Sequence, residues 1–194
     1  RLIRKDIPFP TTCGFICEHP CESDCRRTMV DDPINIRGLK RYAVEHEGDI
    51  KTPKIMDNTG KKVAIVGGGP GGLSAAYYLA IMGHDVTVYE QRKQLGGMLR
   101  YGIPTYRLPV DILDKEINGI LSTGIKTKMN VSVGTDISLA DLLSQNDAVF
   151  VSIGAHTDKK IGIEGEDAEG VTSAVEMLRA IGDQEPIDYT GQDV

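Results

Sequence analysis

The chain has 194 residues, 40% of them hydrophobic and 26% charged, enough apolar material for a sizeable core in one large or two small domains. A net charge of −6, no Trp and only 5% aromatic residues exclude a broad phosphate-binding face and a stacking platform for single-stranded nucleic acid. No apolar run is long enough for a membrane-spanning helix.

The N-terminus, Arg1-Leu2-Ile3-Arg4-Lys5, has neither a Met nor the apolar stretch of a secretory signal, so the expected location is cytoplasmic. It reads as mid-sequence. The last residues, Tyr189 to Val194, read as the lead-in to another strand, and the whole is expected to be a piece of a longer polypeptide. Four cysteines follow within a short stretch: Cys13, Cys17, Cys21 and Cys25. Pro20 argues against one unbroken helix through them. Four soft ligands suit zinc or an iron–sulfur cluster. Structural zinc sites usually separate two Cys pairs by a longer insert, so the even C-x3-C spacing fits cluster ligation better. Disulfides are disfavoured in a reducing compartment.

Ile34, Ile36, Leu39, Tyr42 and Ala43 recur at near-helical spacing, with Arg37, Lys40 and Arg41 between them. That charged face is either solvated or a cationic neighbour for a cluster. Residues 49–61 lack periodicity and form a linker. Val63–Val66 is a buried strand ending at glycines, Gly72–Met82 a helix and Asp85–Glu90 a second strand. Residues 110–123 carry apolar positions at helical spacing: Val110, Leu113, Ile117, Ile120 and Leu121. Lys126–Val133 is strand-like, Leu139–Leu143 a short helix and Ala148–Ile153 another buried strand. Alternating strands and helices define an α/β fold with a parallel sheet covered on both faces.

Gly67-Gly68-Gly69-Pro70-Gly71-Gly72 contains G-x-G-x-x-G between a strand and a helix, and Glu90 follows Gly72 by about 18 residues at the end of the next strand. In such a fingerprint Gly67 makes the tight turn, Gly69 lets the backbone approach a pyrophosphate and Gly72 lets helix pack on strand. The helix N-terminus offers N–H groups to phosphates. The Glu90 carboxylate accepts from ribose hydroxyls and repels a 2′-phosphate, which favours FAD or NAD over NADP here. A second glycine loop, Gln94 to Pro104 with Gly96-Gly97, and the small-residue turn Ser152-Ile153-Gly154-Ala155 provide further close-approach points. Together they favour FAD over NAD. No Cys follows the Gly96-Gly97 loop, which excludes a redox-active dithiol there. The four His, at 19, 46, 84 and 156, show no metal spacing outside the Cys segment, with only His19 placed near a cluster.

Cys13-Gly14-Phe15-Ile16-Cys17, Pro20-Cys21-Glu22 and Cys25, then the linker, then Val66 to Leu73, Gly96-Gly97 and Tyr101-Gly102-Ile103-Pro104 occur in an order that resembles the small (β) subunit family of bacterial glutamate synthase. The N-terminal module of dihydropyrimidine dehydrogenase and the flavin subunit of NADH-dependent ferredoxin:NADP oxidoreductase share it. The resemblance covers essentially the whole chain. It implies a helical Cys-rich iron–sulfur domain over 1–48, a linker over 49–61 and a Rossmann-like FAD-binding domain over 62–194, cut before the family's NAD(P)H domain. It further implies an oxidoreductase module passing electrons from NAD(P)H through FAD to [4Fe–4S] clusters. The acceptor would be a large catalytic subunit or a fused downstream redox domain, with no nucleic acid or membrane partner. Family members hold two clusters jointly with an earlier Cys group.

By position, the resemblance assigns Gly67, Gly69, Pro70, Gly72, Glu90 and Gln91 to the ADP part of FAD. It assigns Gly97, Leu99 and Arg100 to the loop along the pyrophosphate and ribityl chain, and Gly154 to closing the pocket. Cys13, Cys17, Cys21 and Cys25 are the metal ligands, and no protein group is a catalytic acid or base. The piece alone is expected to be inactive, because NAD(P)H binding sits elsewhere in the family. Two other readings differ in their chemistry. One is an NAD-binding dehydrogenase domain with a zinc knuckle made by the four cysteines. The other is a non-catalytic scaffold that docks a partner.

Overall fold

A computed structural model describes residues 2–185 and 187–191. The N-terminal region is built from short helices: α1 (Leu2–Asp6), α2 (Pro10–Ile16), α3 (Pro20–Ser23), a 3₁₀ turn (Arg26–Met29) and α4 (Ile36–Glu45). Proline sets the starts of α2 and α3, since its missing N–H and fixed φ suit the first helical position. His19, between them, sits in the left-handed region at φ 46° and turns the chain. Asn35 caps α4 by accepting from Gly38 N. α2 crosses α4 at Gly14, where a Cβ would stand 3.1 Å from the Arg41 Cα, so only a glycine permits this spacing without a shift.

From Lys62 the chain alternates strand and helix: β1 (Lys62–Val66), α5 (Pro70–Ile81), β2 (Asp85–Glu90), α6 (Met98–Tyr101), α7 (Val110–Leu121), β3 (Lys126–Met129), α8 (Leu139–Gln145), β4 (Ala148–Val151) and α9 (Ala174–Gly182). The strands form one parallel sheet in the order β3-β2-β1-β4, with Val66 opposite both Tyr89 and Val151. Chain order reverses at β1, which puts a crevice outside the carboxyl ends of β1 and β4, the usual ligand position in open α/β sheets.

The period-two alternation of β1 and β2 divides the core. Val63, Ile65, Val86 and Val88 join Leu73, Ala76 and Ala80 of α5 and Leu113, Ile117 and Ile120 of α7 on one face. Each such large side chain, fully buried, contributes roughly 1.5–3 kcal/mol. Ala64, Val66 and Tyr89 meet only Leu142 of α8 and a few half-buried neighbours on the other face. α8 is set by a capping box between Ser138 and Asp141.

Three expectations need correction. The strand read over Ala148–Ile153 ends at Val151 and is not buried: Phe150 and Val151 are exposed, because β4 is an edge strand and α8 covers little of it. The strand read to Val133 stops at Met129, since Asn130 adopts φ 55° and the chain turns over Ser132–Asp136. Coverage of the sheet is correspondingly unequal on its two faces. Of the tail read as a strand lead-in, Thr190 and Gly191 form a turn, and Gln192–Val194 lie outside the described residues.

Residues 49–61 have no regular structure, yet they are docked. Met56 N donates to Ile81 O and Thr59 N to Gly83 O, both at 2.9 Å. Ile50 packs where Gly119 of α7 leaves room. Among the described residues no helix is long and apolar enough to cross a membrane.

Candidate functional site

The glycine loop occupies the β1–β4 crevice. Gly67 has φ 104°, and a Cβ there would meet Ser152 O at 2.2 Å, so turn and neighbour both demand glycine. A Cβ on Gly72 would meet Gly67 O at 1.9 Å. Gly69 is the N-cap of α5, Pro70 its first residue, and no side chain caps the helix. Its first-turn amides are therefore free to serve an anion, as at phosphate-binding helix starts. The second glycine loop lies directly against the first. Gly96 N donates to Gly68 O at 2.8 Å, and a Cβ on Gly97 would stand 2.6 Å from the Gly69 Cα. The two loops form a cradle with only backbone on its floor, which fits a dinucleotide pyrophosphate.

Glu90 ends β2 and is 6% exposed. Its two oxygens accept from Gly68 N at 2.7 Å and Arg92 N at 2.8 Å, so the carboxylate is aimed at the glycine loop and held there by main chain. Gln91, beside it, is exposed. Gly154 takes φ 68° in the turn after β4. Leu99 and Arg100, expected along the cofactor, lie in α6 directly after the second glycine loop. Leu99 packs against the core. The buried Arg100 donates from Nε to Leu95 O at 2.7 Å and pairs with Asp114 of α7, so its guanidinium braces the loop from behind. Tyr101 ties α9 to the same loop through its hydroxyl, which donates to Asp183 at 2.9 Å and accepts from Gln94 N at 3.2 Å. Burial and Asp183 raise its pKa above the ordinary phenol value.

A groove of about 920 Å³ opens between α1, residues 47–54 and α5, lined by Arg4, Lys5, Glu47, Tyr77 and Tyr78 among others. It contains no residue of either glycine loop, so it is separate from the cradle.

The cysteines are divided by the break between helices. Cys13 lies in α2, Cys17 caps its C-terminus in extended conformation, Cys21 lies in α3 and Cys25 precedes the 3₁₀ turn. All are free thiols, Cys21 exposed and the others half-buried. Burial pushes the Cys13 thiol pKa up, opposed by Lys40. His19 N donates to Cys17 Sγ at 3.4 Å, and Arg37 Nη1 to Cys17 O at 3.0 Å. The Arg41 guanidinium lies 3.9 Å over the Phe15 ring and pairs with Glu45. Donor chemistry suits an iron–sulfur centre. Among the described residues no three His, Cys, Asp or Glu side chains stand together as a metal site. The αL residue His19 and the helix start at Pro20 lie between Cys17 and Cys21.

One functional group was missed in the sequence. Glu116 of α7 is 1% exposed, and its carboxylate accepts from Thr11 N at 2.7 Å, Thr12 N at 2.8 Å and Arg4 Nη1 at 3.3 Å. It caps the first turn of α2 from across the domain boundary. Arg4 also pairs with Glu47. The signal was a carboxylate between Leu113, Ile117 and Ile120 on an apolar helix face.

Two family profiles match the chain. Residues 65–125 match an NAD(P)-binding Rossmann-like domain, and residues 1–52 match the 4Fe-4S domain II of dihydropyrimidine dehydrogenase. These define the class: a Rossmann-type dinucleotide domain behind an iron–sulfur-type Cys segment. Relatives include the NADPH-Fe(3+) oxidoreductase subunit beta of Geobacter sulfurreducens, 46% identical over 86% of this chain and 25% of that protein. The glutamate synthase [NADPH] small chain of Bacillus subtilis is 36% identical over 100% of this chain and 42% of its own length. Among solved structures, FprA of Mycobacterium tuberculosis in complex with NADPH aligns with TM-score 0.56 and 26% identity, over 65% of this chain and 31% of that one. The chain is similar to these oxidoreductase beta subunits and small chains, and it spans 25% and 42% of the length of the two relatives.

Proposed function

We propose that the chain is the flavin-binding and iron–sulfur part of an NAD(P)H-dependent electron-transfer oxidoreductase. The observation that carries this reading is the double glycine cradle, with Gly97 against Gly69 and Glu90 fixed beside it. A single glycine loop suits any dinucleotide; a second loop stacked on it gives the backbone a further close approach along the half beyond the pyrophosphate, and FAD is the cofactor the family resemblance implies. Bound there, FAD would accept a hydride and release electrons singly. The protein's part is geometry. The free first-turn amides of α5 bind the pyrophosphate, Glu90 orients the ribose through its hydroxyls, and the Gly96-Gly97 loop covers the chain beyond. Arg100 and Asp114 hold that loop rigid from the α7 side.

The Cys segment supplies soft ligands to iron–sulfur chemistry together with donors these four thiols do not provide. Relatives named as beta subunits or small chains support an assembly partner, proposed here as a large catalytic subunit or a fused redox domain. The proposed location is the cytoplasm.

The test is to release and quantify cofactors from the native full-length protein, purified without oxygen. FAD together with matched iron and acid-labile sulfide, and a flavin band bleached by NAD(P)H, is the expected result. Recovery of NAD in place of FAD, or of zinc in place of iron, overturns the reading in favour of a dehydrogenase with a zinc knuckle. Recovery of no cofactor favours the docking scaffold.

A further inference from the structure

α4 inverts the usual order of an amphipathic helix. Its apolar Leu39 and Tyr42 are 59% and 62% exposed, while its cationic Arg37 and Lys40 are half-buried. A surface helix ordinarily buries the apolar side chains and solvates the charged ones.

The contacts of Arg37 show what the inward cations hold. Its guanidinium donates from Nη1 to the Cys17 carbonyl at 3.0 Å, and its main-chain N–H donates to Glu22 Oε1 at 2.7 Å. Cys17 closes α2, and Glu22 lies in α3 next to Cys21. One residue of α4 therefore grips the chain on both sides of the break at His19-Pro20. Glu22, its side chain only 15% exposed, also brings Oε2 within 3.3 Å of His19 Nδ1. His19 N in turn donates to Cys17 Sγ at 3.4 Å. These contacts close a ring around the break, from Cys17 to Arg37, Glu22, His19 and back to Cys17.

The charge of Arg37 has no local use. Arg27 and Arg41 each pair with the carboxylate one helical turn on, Asp31 and Glu45. The residue at that offset from Arg37 is Arg41, a like charge. Among the described residues the Arg37 guanidinium bonds a carbonyl and no carboxylate. A fixed cation at a thiol ligand suits a negative centre. The potential of an iron–sulfur centre depends on nearby charge and on hydrogen bonds to its sulfurs, and a cation favours the reduced, more negative form.

We propose that Arg37 is a positioning residue for the iron–sulfur ligands. It fixes Cys17 and Cys21 relative to each other across the break between α2 and α3, and it sets beside Cys17 a positive charge that raises the potential of the bound centre. This rests on the reading of the Cys segment as the iron–sulfur part of the protein.

The experiment uses the full-length protein, purified without oxygen, with Arg37→Gln, Arg37→Lys and Glu22→Ala. It measures iron and sulfide content, the rate of iron loss to a ferrous chelator, and the midpoint potential by redox titration followed by electron paramagnetic resonance. Arg37→Gln should lose iron about tenfold faster, the size of one charge-assisted hydrogen bond, and the centre that remains should be harder to reduce. Arg37→Lys keeps the charge without the planar fork. It should recover the wild-type potential and still lose iron faster than the wild type. Glu22→Ala frees the Cys21 side of the ring and leaves the guanidinium in place, so it should speed iron loss without lowering the potential. Wild-type iron retention and potential in Arg37→Gln overturn the proposal. Equal iron loss in the two Arg37 variants at an unchanged potential also overturns it, because packing alone would behave that way. Wild-type protein that carries no iron overturns the iron–sulfur reading itself.

Discussion

The Cys segment and the sheet domain are stabilised by different forces. Ile65, Leu73 and Val88 are fully buried between a sheet and its helices, in an apolar core that Phe9 of the Cys segment joins and Phe15 and Ile16 pack against. The Cys segment has α1, α2 and α3, of 5, 7 and 4 residues, far below the length at which an isolated helix persists in water. Its buried groups include Arg4 and Thr12, and its anchor is a carboxylate lent by α7. The sheet region supplies most of the apolar core; the Cys segment leans on it through Phe9, Phe15 and Ile16 and through the polar joint at Glu116.

The strongest way to break that contrast is Glu116→Ala. It leaves Arg4 without one of its two carboxylate partners and two first-turn amides without an acceptor, a loss of about 3–5 kcal/mol for a broken buried ion pair. Amide exchange over residues 2–17 should accelerate to the unfolded rate while β1 and β2 stay protected. Loss of protection in both regions together would show that the contact through Phe9 couples them into one cooperative unit. Gly72→Ala is the converse probe. Its Cβ collides with main chain at Gly67, and the cost is about 1–3 kcal/mol, confined to the β1–α5 junction. Dinucleotide binding should disappear with little change in exchange over α2; undiminished binding would remove the glycine loop from the site.

The smallest effect sharpens the sheet side through pH. Burial, Arg92 and Arg179 lower the His156 pKa in the folded state, with Glu90 opposing them. A base with a depressed folded pKa favours the neutral form, so the unfolded chain binds more protons between the two values. Its contribution to stability is complete above the ordinary imidazole pKa, near 6.5, and is lost as pH falls through the lowered folded value. The Tm of the wild type should therefore fall across that window more steeply than that of His156→Asn. Parallel curves would show that His156 titrates alike in both states.

The sheet domain was legible because its signals are local. The apolar run before Gly67 and the spacing of Leu113, Ile117 and Ile120 each specify one element without reference to anything distant. β4 misled for the same reason: Val149, Phe150 and Val151 read as interior, and only strand order places them at an edge. The Cys spacing announced soft-metal chemistry, but where the thiols go depends on an αL residue at His19. The protein partners of Arg100, Leu95 O and Asp114, were not announced by the sequence, because Asp114 reaches it only through the packing of α7. Glu116 was hidden most deeply, because its partners lie 104 and 105 residues away.

That distance has a consequence in time. Chains emerge from the ribosome at about 5–20 residues per second, so Glu116 follows Thr12 by roughly 5–20 s. Throughout that interval the first turn of α2 lacks its acceptor, and Cys13 and Cys17 face the solvent of the cell on an unformed helix. A ribosome-stalled chain ending before Glu116 should leave Cys13 as open to alkylation as in urea, and extension past α7 should protect it. Protection in the shorter chain would mean that α2 finds its shape unaided. The Cys segment is made first and folds last.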